Sequence, residues 1–286
     1  MTDLYVFGSG LILAWAATIL TPKRVWRRLA MRNYRGLVIS AGLGISLAVV
    51  SLVPGIVSDI SAAVRGEHVS IRAVSFLGGC TLVFAGGLID DLIGSGPRGI
   101  RAHLGAMLRG RLTTGTLKIL LAVVASALIV FTGPSGIGRI AAGMILMPAF
   151  ANLWNGFDVA PGRAAKFFIL AAWVTVTFAT YANGVLLRML GATVFLGWLD
   201  LKERGMLGDS GSNLLGFTLA VSLYGLLSTG ALIGLAVVGV ALNLLAETVT
   251  LSTIISSVRP LRWFDELGRL RLERQGDQMH EDSEIE

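Results

Sequence analysis

Long runs of apolar residues recur along this chain, at residues 4–20, 37–57, 73–89, 116–131, 140–151, 166–180, 185–199, 213–227 and 231–256. A segment in lipid must satisfy its own backbone hydrogen bonds, so only helices and closed barrels are open to it. Unbroken runs, in place of alternating stretches of roughly ten residues, exclude the barrel. Composition agrees: 54% hydrophobic against 15% charged residues is far too apolar for a water-soluble domain. The chain is therefore expected to be all-α, a polytopic membrane protein of about nine transmembrane helices. Its 36 glycines suit helices that pack closely through small residues.

Charges between the runs set the orientation. On the nine-helix reading, twenty of the 24 Lys and Arg residues fall on one side, with only Arg65, Arg72, Arg139 and Arg188 on the other or in its half of the bilayer. The positive-inside rule then puts the N-terminus outside and the C-terminus in the cytoplasm. Residues 1–257 form the transmembrane domain and 258–286 a cytoplasmic tail, basic first and acidic last. A net charge of +6 would suggest nucleic acid for a soluble protein; here topology accounts for it and no nucleic-acid partner is expected. The start Met1-Thr2-Asp3 has no basic region, so the first run reads as a retained helix. One cysteine, Cys80, leaves no disulfide within the chain, and His68, His103 and His280 show no metal-ligand spacing.

The polar clusters able to do chemistry all fall on the cytoplasmic side. The stretch Gly86-Gly87-Leu88-Ile89-Asp90-Asp91 puts two adjacent carboxylates at the end of an apolar run. An Asp costs roughly 2.5–3.5 kcal/mol at a spanning helix's centre and some fraction of that near its end. Side by side the two also repel, and a divalent cation or basic partner would relieve them. The plain alternative is a helix end, turned by Gly94, Gly96 and Pro97. In Gly208-Asp209-Ser210-Gly211-Ser212-Asn213, small residues let a metal or phosphate approach the backbone, with Ser210, Ser212 and the helix start as donors. Ser212 could equally be only the N-cap. Asn152, Asn155 and Asp158, spaced i, i+3, i+6, share one side of a helix end and would either read a base or sugar edge or cap that helix. Lys118 would meet a phosphate or snorkel to the surface. Glu247 lies well inside the last run and is expected to point into the bundle.

Together and in this order, the acidic and amide motifs resemble those of the polyprenyl-phosphate N-acetylhexosamine-1-phosphate transferases, the MraY and WecA group, over residues 33–269. The resemblance implies a multi-pass enzyme of the inner (plasma) membrane. Its catalytic residues would be Asp90, Asp91 and Asp209, with Mg²⁺ held by Asp209 and Asp91. Asn152, Asn155, Asp158, Lys118, Ser210 and Ser212 would bind the nucleotide sugar, and Arg262 would contact phosphate in place of a family His. A polyprenyl phosphate would attack the sugar-bearing phosphorus of a UDP-sugar and release UMP, and the family's homodimer would follow. The chain departs from the pattern with Pro161 in place of a second acid, Met206 in place of an aromatic, and Arg259 to Asp265 in place of a His-rich segment. The tenth helix usual in the family has no counterpart run. These departures point to an altered substrate preference, and they make a non-catalytic lipid-binding or scaffold protein of envelope assembly the alternative. A transporter fits less well, because the acids sit at one face and no inverted repeat shows in the hydropathy.

Overall fold

The computed structural model describes residues 2–270 except 34, 95–98, 100–102, 104, 107, 134–135 and 179–183. Helix α1 (Thr2–Leu20) is followed by the short α2 (Lys23–Arg28), strands β1 (Ala30–Arg32) and β2 (Val38–Ser40), and α3 (Leu43–Val64). Then come α4 (Ile71–Ile93), α5 (Thr114–Thr132), α6 (Ile137–Phe157), α7 (Arg163–Phe178), α8 (Gly184–Leu201), α9 (Gly208–Leu226) and α10 (Thr229–Ala246). Two short helices, α11 (Leu251–Ser257) and α12 (Arg259–Glu266), complete the order. A helix stands at each of the nine apolar runs. Among the described residues seven of them, α1, α3, α4, α5, α6, α8 and α10, are long and apolar enough to cross a membrane.

The described residues are mostly helical, as the all-α reading expects, and the first correction is local to the start of the second apolar run. Met31 pairs with Ile39 in an antiparallel hairpin, where the sequence suggested that a helix had begun at residue 37. Asn33 closes the turn, its Oδ1 accepting the amides of Arg35 and Leu37 at 2.9 Å each, as an Asx turn does. Helix α3 consequently starts at Leu43 and runs on to Val64, through residues expected in a loop. The second correction concerns the last apolar run. Helix α10 stops at Ala246, and Glu247 is its C-cap instead of a deep intramembrane group. Thr250 begins a new helix by accepting the Thr253 amide at 3.2 Å, so a local N-cap within a polar, β-branched stretch outweighs continued hydropathy.

Helix α9 sits at the centre, packed against α3, α4, α6, α7 and α8, with Leu214, Leu215 and Phe217 fully buried. It is not one of the seven apolar helices, because it carries Asp209 and Asn213 as well as the hydroxyl residues Ser212, Thr218 and Ser222. Each of those hydroxyls donates to a carbonyl one turn back, at 2.7, 2.9 and 2.8 Å. That internal bonding lets a fairly polar helix be buried on all sides. Helices α1 and α10 do the opposite and turn residues such as Ile12, Trp15, Val237 and Val238 outward.

Candidate active site

Gly87 lets α4 and α9 meet backbone to backbone. A Cβ at this position would lie 2.5 Å from the carbonyl oxygen of Asp209 and from Ser210 Cα. One turn on, Asp91 reaches the start of α9, where its Oδ1 accepts the Asp209 amide at 2.7 Å and its Oδ2 the Ser210 amide at 3.0 Å. Gly208, at φ +66°, makes the turn into the helix, and a Cβ on it would stand 2.9 Å from both Asp91 oxygens. The sequence offered Ser212 as this cap. A carboxylate from another helix takes that place, and Ser212 is buried and bonded to its own helix.

Asp90 faces α5. Lys118 Nζ donates to Asp90 Oδ2 at 3.1 Å and to Asp209 Oδ2 at 2.6 Å. Asn155, near the end of α6, joins them: with its amide turned to match its partners, it donates to Asp209 Oδ1 at 2.9 Å and accepts from Lys118 Nζ at 2.8 Å. Lys118 is thus a node among three oxygens, not a snorkelling anchor, its side chain only 14% exposed against 19% for Asp90 and 29% for Asp209. Asp158 is the C-cap of α6. Burial, then the negative charges of Asp200, Asp209 and Asp91, push its carboxyl well above the ordinary range.

The structure therefore brings Asp90, Asp91, Lys118, Asn155, Asp158, Asp209 and the Ser210 backbone together. It does not bring Asn152. Three residues before Asn155, Asn152 turns to α10 and donates to Asn243 Oδ1 at 2.5 Å, while Asn243 donates to the carbonyls of Ala149 at 2.9 Å and Gly239 at 2.8 Å. Arg262 lies exposed on α12. A cavity of about 270 Å³ opens beside the cluster between α4, α5, α6, α9 and α10. Its lining is mainly apolar, including Val83, Ala122, Met144 and Pro148, with Lys118, Asn152, Asn213 and Asn243 as polar members. The sequence reading did not single out Asn213 and Asn243 for function, although an amide within an apolar helix is itself a signal.

Two carboxylates, Asp90 and Asp209, share the Lys118 ammonium and Asp91 lies beside them, an excess that a cation relieves. Among the described residues, no group of three or more His, Cys, Asp or Glu forms a ready metal cage. Mg²⁺ does not require one, since it is commonly bound by one or two carboxylates with waters and substrate phosphates. The hard oxygens of Asp90 and Asp209, both partly exposed, fit that donor set. Asp91 already spends both oxygens on backbone amides, so its share in metal binding is the lesser one.

A second charged cluster was missed by the sequence reading, which took residues 258–286 as a separate polar tail. Buried Arg163, at the start of α7, donates from Nε and Nη2 to the two oxygens of Asp265 at 2.8 and 2.9 Å, and from Nη1 to Ser252 Oγ at 2.7 Å. Arg269 also pairs with Asp265, and Lys166 donates to the carbonyls of Phe264, Asp265 and Leu267 at the end of α12. Burial works against the Asp265 carboxylate, but Arg163, with Arg269 and Lys166 behind it, holds its pKa below the ordinary range. The acidic end of the tail with His280, and Gly96 and Pro97 of the expected helix-ending turn, lie outside the described residues.

No protein-family model matches the chain, and none of the curated proteins matches it.

Proposed function

We propose that this protein transfers a sugar-1-phosphate from a nucleotide sugar, a UDP-sugar in the first instance, to a polyprenyl phosphate, as the polyprenyl-phosphate N-acetylhexosamine-1-phosphate transferases do. The observation that carries this reading is Lys118, clasped by Asp90, Asp209 and Asn155 and at the same time lining an apolar cavity. A cation for phosphate thus borders a space suited to a hydrocarbon chain. Phosphoryl transfer depends on charge neutralisation and positioning more than on covalent help.

In the reaction an oxygen of the lipid phosphate bonds to the sugar-bearing phosphorus, the bond from that phosphorus to the bridging oxygen breaks, and UMP leaves with that oxygen. Lys118 neutralises the incoming lipid phosphate. Asp90, in hydrogen-bond contact with Lys118, is positioned to take a proton from an acceptor that arrives as the monoanion. Asp91 fixes Asp209 through the backbone, and Asn155 orients both Asp209 and Lys118. Asp158 lies within electrostatic reach of this group and would meet the nucleoside. Asp209 and Asp90 would hold Mg²⁺, which when bound neutralises the donor's diphosphate. The reading includes nine spans with the N-terminus outside and the site in the cytoplasm, a cell-membrane location and a homodimer. The one-sided distribution of Lys and Arg supports the orientation.

The test is nucleoside monophosphate release by the purified protein with Mg²⁺ and undecaprenyl phosphate, across UDP-, CDP- and other nucleotide sugars. Release should need both lipid and metal and fall at least about a hundredfold in Asp209→Asn. Folded protein that releases nothing from any donor would overturn the proposal.

A further inference from the structure

Asn213 lies one helical turn beyond Asp209 on α9 and is 2% exposed, yet its Nδ2 finds no hydrogen-bond partner among the described residues. Native chains seldom bury an amide donor without an acceptor, because the donor's lost hydration is then uncompensated. The other two amides of the cavity show what satisfaction looks like here. Asn152 is bonded to Asn243, and Asn243 to two backbone carbonyls. Asn213 is the odd one out, and it lines the same cavity as Lys118. Spacing of i, i+4 puts it on the face of α9 that carries Asp209, whose carboxylate touches Lys118.

What the donor awaits is an acceptor brought in from outside. Lys118 calls for a negative one, and the cavity's walls call for an apolar remainder. Ile145, Val240 and Leu244, which also line the cavity, are exposed on the flank of the bundle. The opening is therefore through the apolar side of the molecule, where a lipid would enter. We infer that Asn213 is a binding residue for the phosphate head of a lipid monophosphate: its Nδ2 donates to a phosphate oxygen, Lys118 neutralises the charge, and the hydrocarbon chain occupies the cavity. This deepens the transferase reading and rests on it only for the choice of a polyprenyl chain.

The test measures binding to the full-length protein in lipid nanodiscs, with undecaprenyl phosphate, undecaprenol and inorganic phosphate as probes. Asn213→Leu, close in volume, should weaken undecaprenyl phosphate binding about tenfold, the loss expected of one charge-assisted hydrogen bond. Undecaprenol binding should not change, and inorganic phosphate should bind weakly to both proteins. Without lipid the Leu variant should melt higher, since a buried unpaired donor is gone. Asn213→Asp, of the same shape, provides a second variant and should weaken the phosphate lipid more than Leu does. Undecaprenyl phosphate binding equal to wild type in both variants would overturn the inference, as would equal loss of phosphate and alcohol in the Leu variant. Inorganic phosphate competing as well as the lipid would show a free-phosphate site and overturn it too. Its failure is separable from that of the transferase reading. Active transferase with an unchanged KM for lipid in Asn213→Leu defeats this inference alone, whereas phosphate-selective binding without nucleotide release defeats the reaction alone.

Discussion

Around Asp265 one carboxylate is surrounded by cations, and around Lys118 one ammonium is held by carboxylates. Arg163 grips Asp265 with a two-pronged bond and donates from its third nitrogen to Ser252, Arg269 adds a further contact, and Lys166 closes the end of α12. Around Lys118 two carboxylates, Asp90 and Asp209, share one ammonium, and Asp91 lies beside them on the Asp209 backbone. A buried pair such as Arg163 and Asp265, bonded through both carboxylate oxygens, resists opening, because breaking it uncovers a charge. A group with more carboxylates than cations gains when a cation arrives. The Asp265 group holds α12 against α7, whereas on the proposed reaction the Lys118 group takes the metal and the phosphates.

Substitutions can break this contrast. Asp209→Asn should reduce nucleotide release at least about a hundredfold while leaving the melting temperature level or slightly raised, because a like charge is removed from a repelling group. A large loss of folded protein in that variant would show that the open cluster is structural after all. Arg163→Met should behave the other way. It leaves Asp265 to Arg269 and removes its two-pronged bond, costing about 2 kcal/mol, read as a lower melting temperature and faster proteolysis near Ser257, with activity kept in the folded fraction.

Acid sharpens the same distinction. The Asp265 pKa is lowered in the folded protein, so its contribution is fully present above the ordinary carboxylate value and is lost as pH falls through the folded one. Proteolysis at α12 should therefore accelerate below about pH 4, whereas in Asp265→Asn it should be fast and show no such step. The smallest effect is expected from Thr250→Ala, which removes the N-cap of α11 and should cost about 1 kcal/mol without altering nucleotide release.

The apolar runs disclosed the helices and their order, because hydropathy is a local property that reads directly as helix in this composition. Residue type also pointed to Asp90, Asp91, Asp158, Asn155, Lys118 and Asp209, which the fold does gather. What stayed hidden depends on contacts between distant residues. Asp91 caps a helix 119 residues away, and Arg163 binds a carboxylate 102 residues away, so neither pairing leaves a local trace. Asn152 and Asn155 share a helix face but lean toward different neighbours, a split that spacing alone does not predict. The hairpin at Met31 and Ile39 was hidden for a different reason: β2 belongs to the same apolar run as α3, and only pairing separates them.

Asp91 has one more consequence. The start of a helix is a natural seat for an anion, and in α9 the chain has seated its own. On the proposed reaction, substrate phosphates would then rely on side chains and metal, because the Asp209 and Ser210 amides already serve Asp91. Asp91→Ala would vacate a carboxylate-sized hole, and acetate or formate supplied in the buffer should refill it and restore activity. No such replacement should work for Asp90, whose partner is the side-chain ammonium it shares with Asp209 and not a fixed pair of amides. The two neighbouring aspartates would differ as a removable part differs from a working one.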